Sequence, residues 1–557
     1  MLLTRQSKWL QHCAVALALT TIFSLVSVFT FVLVSKTWSE FNDLLLWCLT
    51  ELLPTVFLYQ YFPSYGEISK QLEIALKLIP VFSLSISSFI VWFFRIRRNK
   101  ASIYHHLDGP QLLDGKKAIN HFKKLVKCED STGLKLHNNM PLPMLRELQN
   151  FLIHGMQGSG KSNLIKYHLQ QIIIRGDKTL IYDIKGEYTE LFYDERTTLI
   201  SVYDARSAVW NISQDINSLA MAELFTEAVL TEGSGNESFW INSARAVLKG
   251  VIAGLVKRSK KWGWLELNRV LFSSDEELHQ WLSKYYVQAS GLIKPEDKTS
   301  ASIRAVIASQ LPWIGEVSEL WKNTEISFSL KQWLNNNDKP TLIIQGDLNA
   351  PTLSSALITA MMSVTTGLVL SRPDNGNERI WLVLDELGNL NKSQSLTRVL
   401  SLGRSKGVCT IAGTQSLSQI QSIYGDKEAE TILSLFGNVI ALKLGPSGGS
   451  AESASQSLGK RRVEYITKSR NEKGEITHSL QQESMAIVPP EAIIHLPQPT
   501  KKYGVDGYVL LSGLNAVYKV HWPIYTNFKK VAEARIEKII KPTTIKKKNR
   551  LSRKKAS

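Results

Sequence analysis

The chain has 557 residues, of which 44% are hydrophobic, so it can fill the cores of more than one compact domain. Its net charge of +17 favours an anionic partner: nucleic acid, a membrane surface or both. Its four cysteines are scattered, without a CxxC pair or a nearby histidine cluster, which argues against a disulfide framework and a zinc site.

Two apolar runs near the N-terminus predict a transmembrane hairpin. Residues 14–34 contain no charged side chain, and at about 1.5 Å per residue such a run covers a hydrocarbon core of roughly 30 Å. Residues 78–94 form a second, shorter run, whose flanking Lys77 and Arg95 would reach toward the lipid headgroups. We expect two spans, at about 12–35 and 78–95.

The charges around the hairpin predict its orientation. Arg5 and Lys8 precede the first run, and a basic cluster from Arg95 to Lys100 follows the second, whereas the connecting segment is mostly acidic. The positive-inside rule therefore places both termini in the cytoplasm and the short connecting segment outside. A cleaved signal peptide is disfavoured because the first run is long and no A-x-A-like site follows it. A buried core helix is the alternative for the second run.

A phosphate-binding loop follows an apolar strand predicted at residues 150–154. Residues 155–162 read G-x-x-x-x-G-K-S, and a helical pattern continues from about 163 to 174. Lys161 would reach the β and γ oxygens of a nucleoside triphosphate, and the Ser162 hydroxyl would ligate Mg²⁺. The expected nucleotide-binding residues are Gly155, Met156, Gln157, Gly158, Ser159, Gly160, Lys161, Ser162 and Asn163.

A second apolar run, residues 380–384, ends in two carboxylates. We expect Asp385 to hold Mg²⁺ through its water shell, and Glu386 to orient and deprotonate the attacking water. Further strand candidates lie at 179–182, 341–345, 409–413 and 439–442. Because they alternate with helical patterns, they predict a parallel α/β sheet with the nucleotide at the carboxyl ends of its strands.

Two polar residues follow the acidic strand. Gln415 ends the strand predicted at 409–413, where a side-chain amide can sense the γ-phosphate. Arg404 lies in a short basic turn, from which an arginine can stabilise charge in the site of a neighbouring subunit. An ordinary solvated cation at a helix end is the alternative for Arg404.

These motifs, in their order along the chain, resemble those of the conjugative type IV coupling proteins of the TraD type. Proteins of that family are RecA-like hexameric motors. The resemblance covers residues 142–525. It is carried by residues 155–162 (GMQGSGKS), 183–187 (DIKGE), 239–245 (FWINSAR), 384–387 (LDEL), 403–407 (GRSKG), 413–416 (GTQS), 423–425 (IYG) and 457–459 (SLG). It implies a P-loop ATPase with catalytic roles for Lys161, Glu386, Arg404 and Gln415, and ATP and Mg²⁺ as ligands.

The resemblance also implies partners and a location. Such proteins form homo-hexamers in the bacterial inner membrane, with the ATPase domain in the cytoplasm. They take a relaxase–single-stranded DNA complex to the inner-membrane components of a type IV secretion channel. The predicted organisation is a hairpin with a periplasmic segment (1–100), a RecA-like domain (101–210 and 336–527), an inserted all-α domain (211–335) and a basic tail (528–557). The tail has few apolar residues, and this composition predicts disorder from about Pro542 onward.

A basic cluster in the insert is a candidate DNA contact. Trp262 and Trp264 follow it closely, and basic groups beside aromatic rings can hold a single strand by phosphate contact and base stacking. The alternative is a solvated helix end, with both tryptophans in the core of the insert. The basic residues are Lys257, Arg258, Lys260 and Lys261.

Several functions share these motifs. A coupling protein that delivers protein effectors would have the same catalytic residues, although the basic charge favours DNA. A non-hydrolysing membrane receptor for the relaxosome is a further alternative, against which Glu386 argues. The short basic tail departs from family members that carry a long acidic C-terminal extension, and it is difficult to reconcile with a double-strand pump that has its own DNA-reading domain.

Overall fold

The computed structural model describes residues 104–127, 133–231, 237–259, 261–374, 378–470, 476–526 and 528–538. Two compact units divide the chain: residues 1–105 with 465–481, and residues 106–464 with 482–557. The second unit contains the nucleotide-binding motifs. The spans predicted at 12–35 and 78–95 lie outside the described residues, as does the tail beyond residue 538.

The strands of the described residues are numbered in chain order. They are β1 (His105–Asp108), β2 (Gln111–Asp114), β3 (Lys135–His137), β4 (Met140–Pro141), β5 (Phe151–His154), β6 (Lys178–Asp183), β7 (Thr197–Ile200), β8 (Val209–Trp210), β9 (Ser327–Phe328), β10 (Thr341–Gln345), β11 (Ile380–Leu384), β12 (Val408–Thr414), β13 (Asn438–Ala441), β14 (Lys460–Arg470), β15 (Ile476–Ala486), β16 (Val505–Leu511) and β17 (Ala516–Trp522).

Ten of these strands form the central sheet, in the order β2-β17-β16-β13-β5-β12-β11-β6-β10-β7. The strands from β13 to β7 run parallel, whereas β16 pairs antiparallel with both β13 and β17. Strand β12 alone separates β5, which leads into the phosphate-binding loop, from β11, which leads into the two carboxylates. The ends of all three strands therefore meet at one edge of the sheet, as a nucleotide site requires.

Helices cover the sheet and fill the insert. They are α1 (Gly115–Val126), α2 (Met144–Glu147), α3 (Lys161–Arg175), α4 (Glu187–Phe192), α5 (Ile212–Asp215), α6 (Leu219–Val229), α7 (Glu237–Arg258), α8 (Trp264–Leu271), α9 (Asp275–Tyr285), α10 (Val287–Ser290), α11 (Lys298–Gln310), α12 (Pro312–Leu320), α13 (Leu330–Asn335), α14 (Pro351–Leu370), α15 (Gln394–Leu402), α16 (Leu417–Tyr424), α17 (Asp426–Ser434), α18 (Ser450–Leu458) and α19 (Pro490–Ile494). Short 3₁₀ helices span Leu387–Asn389 and Gly403–Lys406.

The central strands are apolar on both faces because helices cover both sides of the sheet. In β11, Trp381 and Val383 pack into the hydrophobic core on one face, whereas Leu382 and Leu384 pack into the core on the other. All five residues of this strand are buried. Such a continuous apolar run explains why the sequence pattern locates β6, β10 and β11 to within a residue or two.

The insert predicted at 211–335 is mostly helical in its described residues, from α5 to α13. Helix α7 lies at its centre and packs against α6, α8, α9 and α11. It begins at Glu237 and ends at Arg258. The core of the insert is continuous with the core on one face of the sheet.

Two helices of the described residues are long and apolar enough to cross a membrane, one within α7 (Ser238–Arg258) and the other α14. Most of each is buried inside the protein. Helix α14, which packs against α6 and α15, is buried along nearly its whole length. We therefore interpret both as core helices, and the predicted spans remain those near the N-terminus.

A segment of the basic tail, residues 528–538, lies against the carboxyl edge of the central sheet, and we call it the C-terminal strap. Gln345, the last residue of β10, donates a hydrogen bond from Nε2 to the carbonyl of Ala534 at 2.6 Å. Arg535 forms an ion pair with Asp347. The backbone and the arginine of the strap thus have partners at the carboxyl edge of the sheet, ahead of the disorder that the composition predicts from about Pro542.

We expect Arg535→Ala to loosen the strap and to lower the free energy of unfolding by roughly 1–2 kcal/mol, since charged hydrogen bonds are lost. Arg535 Nη2 also donates to the carbonyl of Gly346 at 2.7 Å, so the substitution removes two contacts. Urea unfolding and the rate of chymotryptic cleavage after Phe528, a site that neither substitution removes, measure both effects. Lys529→Ala is the matched control, because Lys529 is exposed. Equal cleavage rates in the two variants would contradict the prediction.

Candidate nucleotide-binding site

The phosphate-binding loop lies between β5 and α3. Its first residue is tied to the neighbouring strand, since the Gly155 N–H donates to the carbonyl of Thr414 at 3.1 Å. Gly160 has a φ of +94°, and a Cβ there would lie 2.6 Å from Cγ2 of Val505. Both the backbone angle and the close approach therefore require glycine at this position.

The loop residues differ in accessibility. Gly155, Ser159 and Lys161 are buried, Gln157 and Gly158 are exposed, and Met156, Gly160, Ser162 and Asn163 are half-buried. An exposed tip on a buried base is the arrangement in which backbone N–H groups can meet a phosphate from solvent.

Lys161 and Glu386 meet at the centre of the site. Lys161 Nζ donates to Glu386 Oε2 at 2.7 Å, and only 8% and 11% of the two side chains are exposed. Burial, together with the charge of Lys161, lowers the pKa of His154 to about 4. The imidazole before the loop is therefore neutral at pH 7, and Glu386 is the group that balances the buried ammonium.

Asp385 lies beside this pair and has a free carboxylate oxygen. Burial raises the pKa of Asp385, while the nearby Lys161 opposes that rise. Its Oδ1 has no hydrogen-bond partner among the described residues. With the half-buried Ser162 hydroxyl, it supplies the hard oxygen ligands that Mg²⁺ prefers, so these residues fit the ion.

Gln415 and Arg404 occupy different positions relative to the site. The backbone N–H of Gln415 donates to Glu386 Oε1 at 3.2 Å, so this residue joins the site through its main chain. Arg404 is exposed in the 3₁₀ turn between α15 and β12, and within the described residues it forms no ion pair. Gln415 therefore contacts Glu386 through its main chain, whereas Arg404 of the same chain forms no ion pair among the described residues.

A family model covers most of this architecture. Residues 135–513 match the DNA-binding domain of the type IV secretion-system coupling proteins. The chain belongs to this family. The match confirms the resemblance read from the motifs.

Two curated relatives of this chain come from Escherichia coli. Coupling protein TraD of strain K12 is 27% identical over 406 residues, which cover 71% of this chain and 55% of TraD. Conjugal transfer protein TraG is 22% identical over 364 residues, which cover 57% of this chain and 56% of TraG. The chain therefore spans about half the length of the curated relatives it matches.

Solved structures of the conjugative coupling protein TrwB share the fold. Unbound TrwBΔN70 superposes with a TM-score of 0.68 at 24% identity, covering 79% of this chain and 98% of TrwBΔN70. The complex of TrwB with the ATP analogue ADPNP gives 0.67 at the same identity and coverage. The complex of TrwB with ADP and Mg²⁺ gives 0.66 at 24% identity, covering 79% of this chain and 99% of TrwB.

The two tryptophans that the stacking hypothesis uses are not accessible beside the basic cluster, although Arg258 lies over the half-buried ring of Trp281, 5.7 Å from its centroid. Trp262 and Trp264 are buried, and Trp264 Nε1 donates to the carbonyl of Trp210 at 2.9 Å. Both belong to the core of the insert, so neither ring is available for base stacking. The exposed Lys257 and Arg258 keep their charge available for phosphate contact. Lys261 is exposed as well, and Lys260 lies outside the described residues.

Helix α4 contributes residues that sequence reasoning did not assign to the site. Lys166 of α3 donates to Glu187 Oε2 at 2.6 Å, which joins the two helices. Asp183 Oδ2 accepts hydrogen bonds from the N–H and the hydroxyl of Thr189, at 2.7 Å and 2.8 Å. In the sequence, the DIKGE motif (183–187) is a mark of the family resemblance, and its position after a buried strand is the signal that points to the site.

We expect Gly413→Ala to disrupt the site, because β12 passes very close to β11 there. A Cβ at 413 would lie 2.1 Å from the backbone carbonyl of Asp385 and 2.9 Å from Cδ of Lys161. Overpacking of this kind costs about 1–3 kcal/mol, and ATP turnover should fall more than stability does. Gly291→Ala is the control, since nothing lies within 4 Å of its Cβ. Wild-type turnover by Gly413→Ala would contradict the assignment.

Proposed function

We propose that this coupling protein is an ATPase that delivers a relaxase–single-stranded DNA complex to a type IV secretion channel and drives DNA transfer during conjugation. The observation that carries the proposal is the grouping of Lys161, Asp385 and Glu386 at one edge of the sheet, in a family defined by a DNA-binding domain. The TrwB complexes with ADPNP and with ADP and Mg²⁺ support ATP and Mg²⁺ as ligands of this site.

The residues of the site suggest the order of events. The phosphates of ATP compete for Lys161 and release Glu386 from its ion pair. Mg²⁺ supplies positive charge that stabilises the transferring phosphoryl group. Glu386 then orients the attacking water and accepts its proton, while the Gln415 N–H holds the carboxylate at 3.2 Å.

The assembly we propose is a homo-hexamer in the bacterial inner membrane. Spans at about 12–35 and 78–95 anchor it, with a short periplasmic segment between them and both termini in the cytoplasm. The RecA-like domain comprises residues 101–210 and 336–527, and the all-α domain comprises residues 211–335. The exposed Arg404 of one protomer would enter the site of the next.

Single-stranded DNA is the cargo that the charge favours. The net charge of +17 and the exposed Lys257 and Arg258 attract phosphate without reading base sequence. Inner-membrane components of the channel and relaxosome proteins are the protein partners implied by the family. Delivery of protein effectors is the second candidate, because it would use the same catalytic residues.

ATP hydrolysis by the full-length protein in lipid nanodiscs, with and without single-stranded DNA, tests the proposal. We expect DNA to stimulate turnover, and the stimulation to weaken steeply between 50 and 200 mM salt as phosphate contacts are screened. Lys161→Ala should remove both basal and stimulated activity, whereas Lys427→Ala, an exposed lysine on α17, should not.

The outcomes separate the two cargoes. Stimulation by DNA of unrelated sequences supports the DNA motor. An active enzyme that is indifferent to DNA but is stimulated by a purified secretion substrate protein supports effector delivery. Absence of hydrolysis under every condition, with nucleotide still bound, would overturn the ATPase and favour a membrane receptor for the relaxosome.

A further inference from the structure

The C-terminal strap crosses the carboxyl edge of the central sheet from one face to the other. Phe528, at its start, packs edge to face against Phe192 of α4, with ring centroids 6.2 Å apart. This contact belongs to the core on the face of the sheet that α3 covers. Lys538, at its end, lies against the insert, whose core is continuous with the core on the opposite face. The strap therefore joins α4 to the insert.

The first part of the strap is bound to α4. The N–H groups of Val531 and Ala532 both donate to the carbonyl of Glu190, at 2.8 Å and 3.2 Å. Farther along, a Cβ at Gly186 would lie 3.0 Å from Cβ of Ala534. The strap thus passes directly over the residue that precedes α4, in the DIKGE motif.

Hydrogen bonds continue from the strap toward the nucleotide site. Gln345 Nε2 donates both to the carbonyl of Ala534, at 2.6 Å, and to Thr189 Oγ1 of α4, at 3.1 Å. The Thr189 hydroxyl donates in turn to Asp183 at 2.8 Å, at the end of the strand that pairs with β11. An ion pair between α3 and α4 also joins α4 to the helix of the phosphate-binding loop. Any shift of the strap would therefore be felt by elements that form the site.

The last part of the strap is bound to the insert. Lys538 Nζ donates to Thr324 Oγ1 at 2.6 Å and to the carbonyl of Leu320, which ends α12. The backbone N–H of Lys538 donates to the carbonyl of Tyr203 at 3.0 Å, and the Tyr203 hydroxyl donates to Glu316 of the same helix. Helix α12 packs against α8 and α11 inside the insert. One half-buried ammonium group thus ties the strap to a helix of the insert.

The strap is held mainly by polar contacts. Val531 is 59% exposed and Ile536 is 40% exposed, so these apolar side chains anchor it only weakly. A segment that buries little apolar area can change its contacts without unfolding the core. Packed and hydrogen-bonded segments with two arrangements are the kind of element that carries coupling between distant sites.

We propose that the C-terminal strap is the connection through which DNA on the insert stimulates ATP turnover, with Lys538 as its contact to the insert. The proposal rests on the proposed function, because it requires stimulation by DNA. Lys538 is a positioning residue, which acts on the site through the strap and α4. A strap that only stabilises the fold would affect thermal unfolding and leave the ratio of DNA-stimulated to basal turnover unchanged.

The test is Lys538→Met, which removes the ammonium and keeps most of the length of the side chain. The matched control is Lys529→Met, which removes the same charge from an exposed position on the same segment. Thr324→Val removes the acceptor on the insert and leaves the strap unaltered. Turnover of the full-length protein in lipid nanodiscs is measured without DNA and with single-stranded DNA at saturation, which fluorescence anisotropy verifies. Thermal unfolding checks that each variant folds.

We expect Lys538→Met to lower the ratio of DNA-stimulated to basal turnover by about twofold or more, the change typical of a residue that carries coupling. Basal turnover should stay near the wild-type rate, because no group of the site is altered. Thr324→Val should lower the ratio in the same direction and add little to Lys538→Met, since both substitutions break one contact. Lys529→Met should match the wild type.

Three results would overturn the proposal. A wild-type ratio in Lys538→Met at saturating DNA would mean that the strap has no part in the coupling, and the proposed function would stand. Equal losses in Lys538→Met and Lys529→Met would assign the effect to the charge of the segment rather than to its contact with the insert. If DNA does not stimulate the wild type, DNA as the cargo is wrong, and the role of the strap fails with it.

Discussion

Glu386→Gln is expected to lower ATP turnover by about 10² to 10⁴-fold, the contribution of a general base, while nucleotide binding persists. Glutamine has the shape of glutamate, and its carbonyl oxygen can still accept the Gln415 N–H that lies 3.2 Å from Glu386 Oε1. It cannot take a proton from water at neutral pH. The loss therefore concerns the chemical step rather than the geometry of the site.

The same substitution should strengthen ATP binding, for a reason that the geometry of the Lys161–Glu386 pair supplies. Lys161 is held by Glu386 at 2.7 Å in a nearly buried pair, so the phosphates must displace a carboxylate before they can reach the ammonium. Without that charge, Lys161 is left uncompensated, which lowers the stability of the nucleotide-free protein and favours an anionic ligand. Turnover and nucleotide affinity are thus predicted to change in opposite directions.

Steady-state hydrolysis and equilibrium binding of a fluorescent ATP analogue measure the two effects. Glu430→Gln is the matched control, since Glu430 is exposed on α17. Turnover near the wild-type rate in Glu386→Gln would place the base elsewhere. Unchanged turnover together with unchanged affinity would also mean that the ion pair has no part in nucleotide entry.

The sequence predicts the centre of this fold better than its edges. Strands such as β11 are apolar on both faces, and a run of five buried residues leaves few alternative readings. Strands β16, β17 and β2 pair beyond β13 and extend the sheet in directions that periodicity does not encode. Pairing partners depend on contacts between distant segments, which a single sequence does not display.

The site shows the same division between local and distant information. The glycines and Lys161 of the loop follow from local chemistry, because each residue type is required where it stands. The position of α4 depends on its packing against β6 and β10, which no spacing rule predicts. The burial of Trp264 likewise depends on its contacts with Trp210 and on the surrounding core of the insert, so composition alone left two readings open.

Arg404→Ala is expected to reduce ATP turnover by about 10³-fold or more if the arginine completes the site of a neighbouring protomer. The physical reason is loss of positive charge at the transferring phosphoryl group. Arg404 is exposed and unpaired within the described residues, as an arginine that acts outside its own chain should be. Arg398→Ala, also exposed but on α15, is the control for loss of a surface charge.

Mixed rings distinguish action between protomers from action within one. Arg404→Ala protomers keep an intact loop, and Lys161→Ala protomers keep an intact arginine, so each supplies what the other lacks. Co-assembly should therefore restore turnover above that of either variant alone, because some Arg404→Ala sites gain a neighbour's arginine. If Arg404 acted within its own chain, every site would lack one essential group and mixing would restore nothing. If it were an ordinary solvated cation, Arg404→Ala alone would turn over ATP at the wild-type rate.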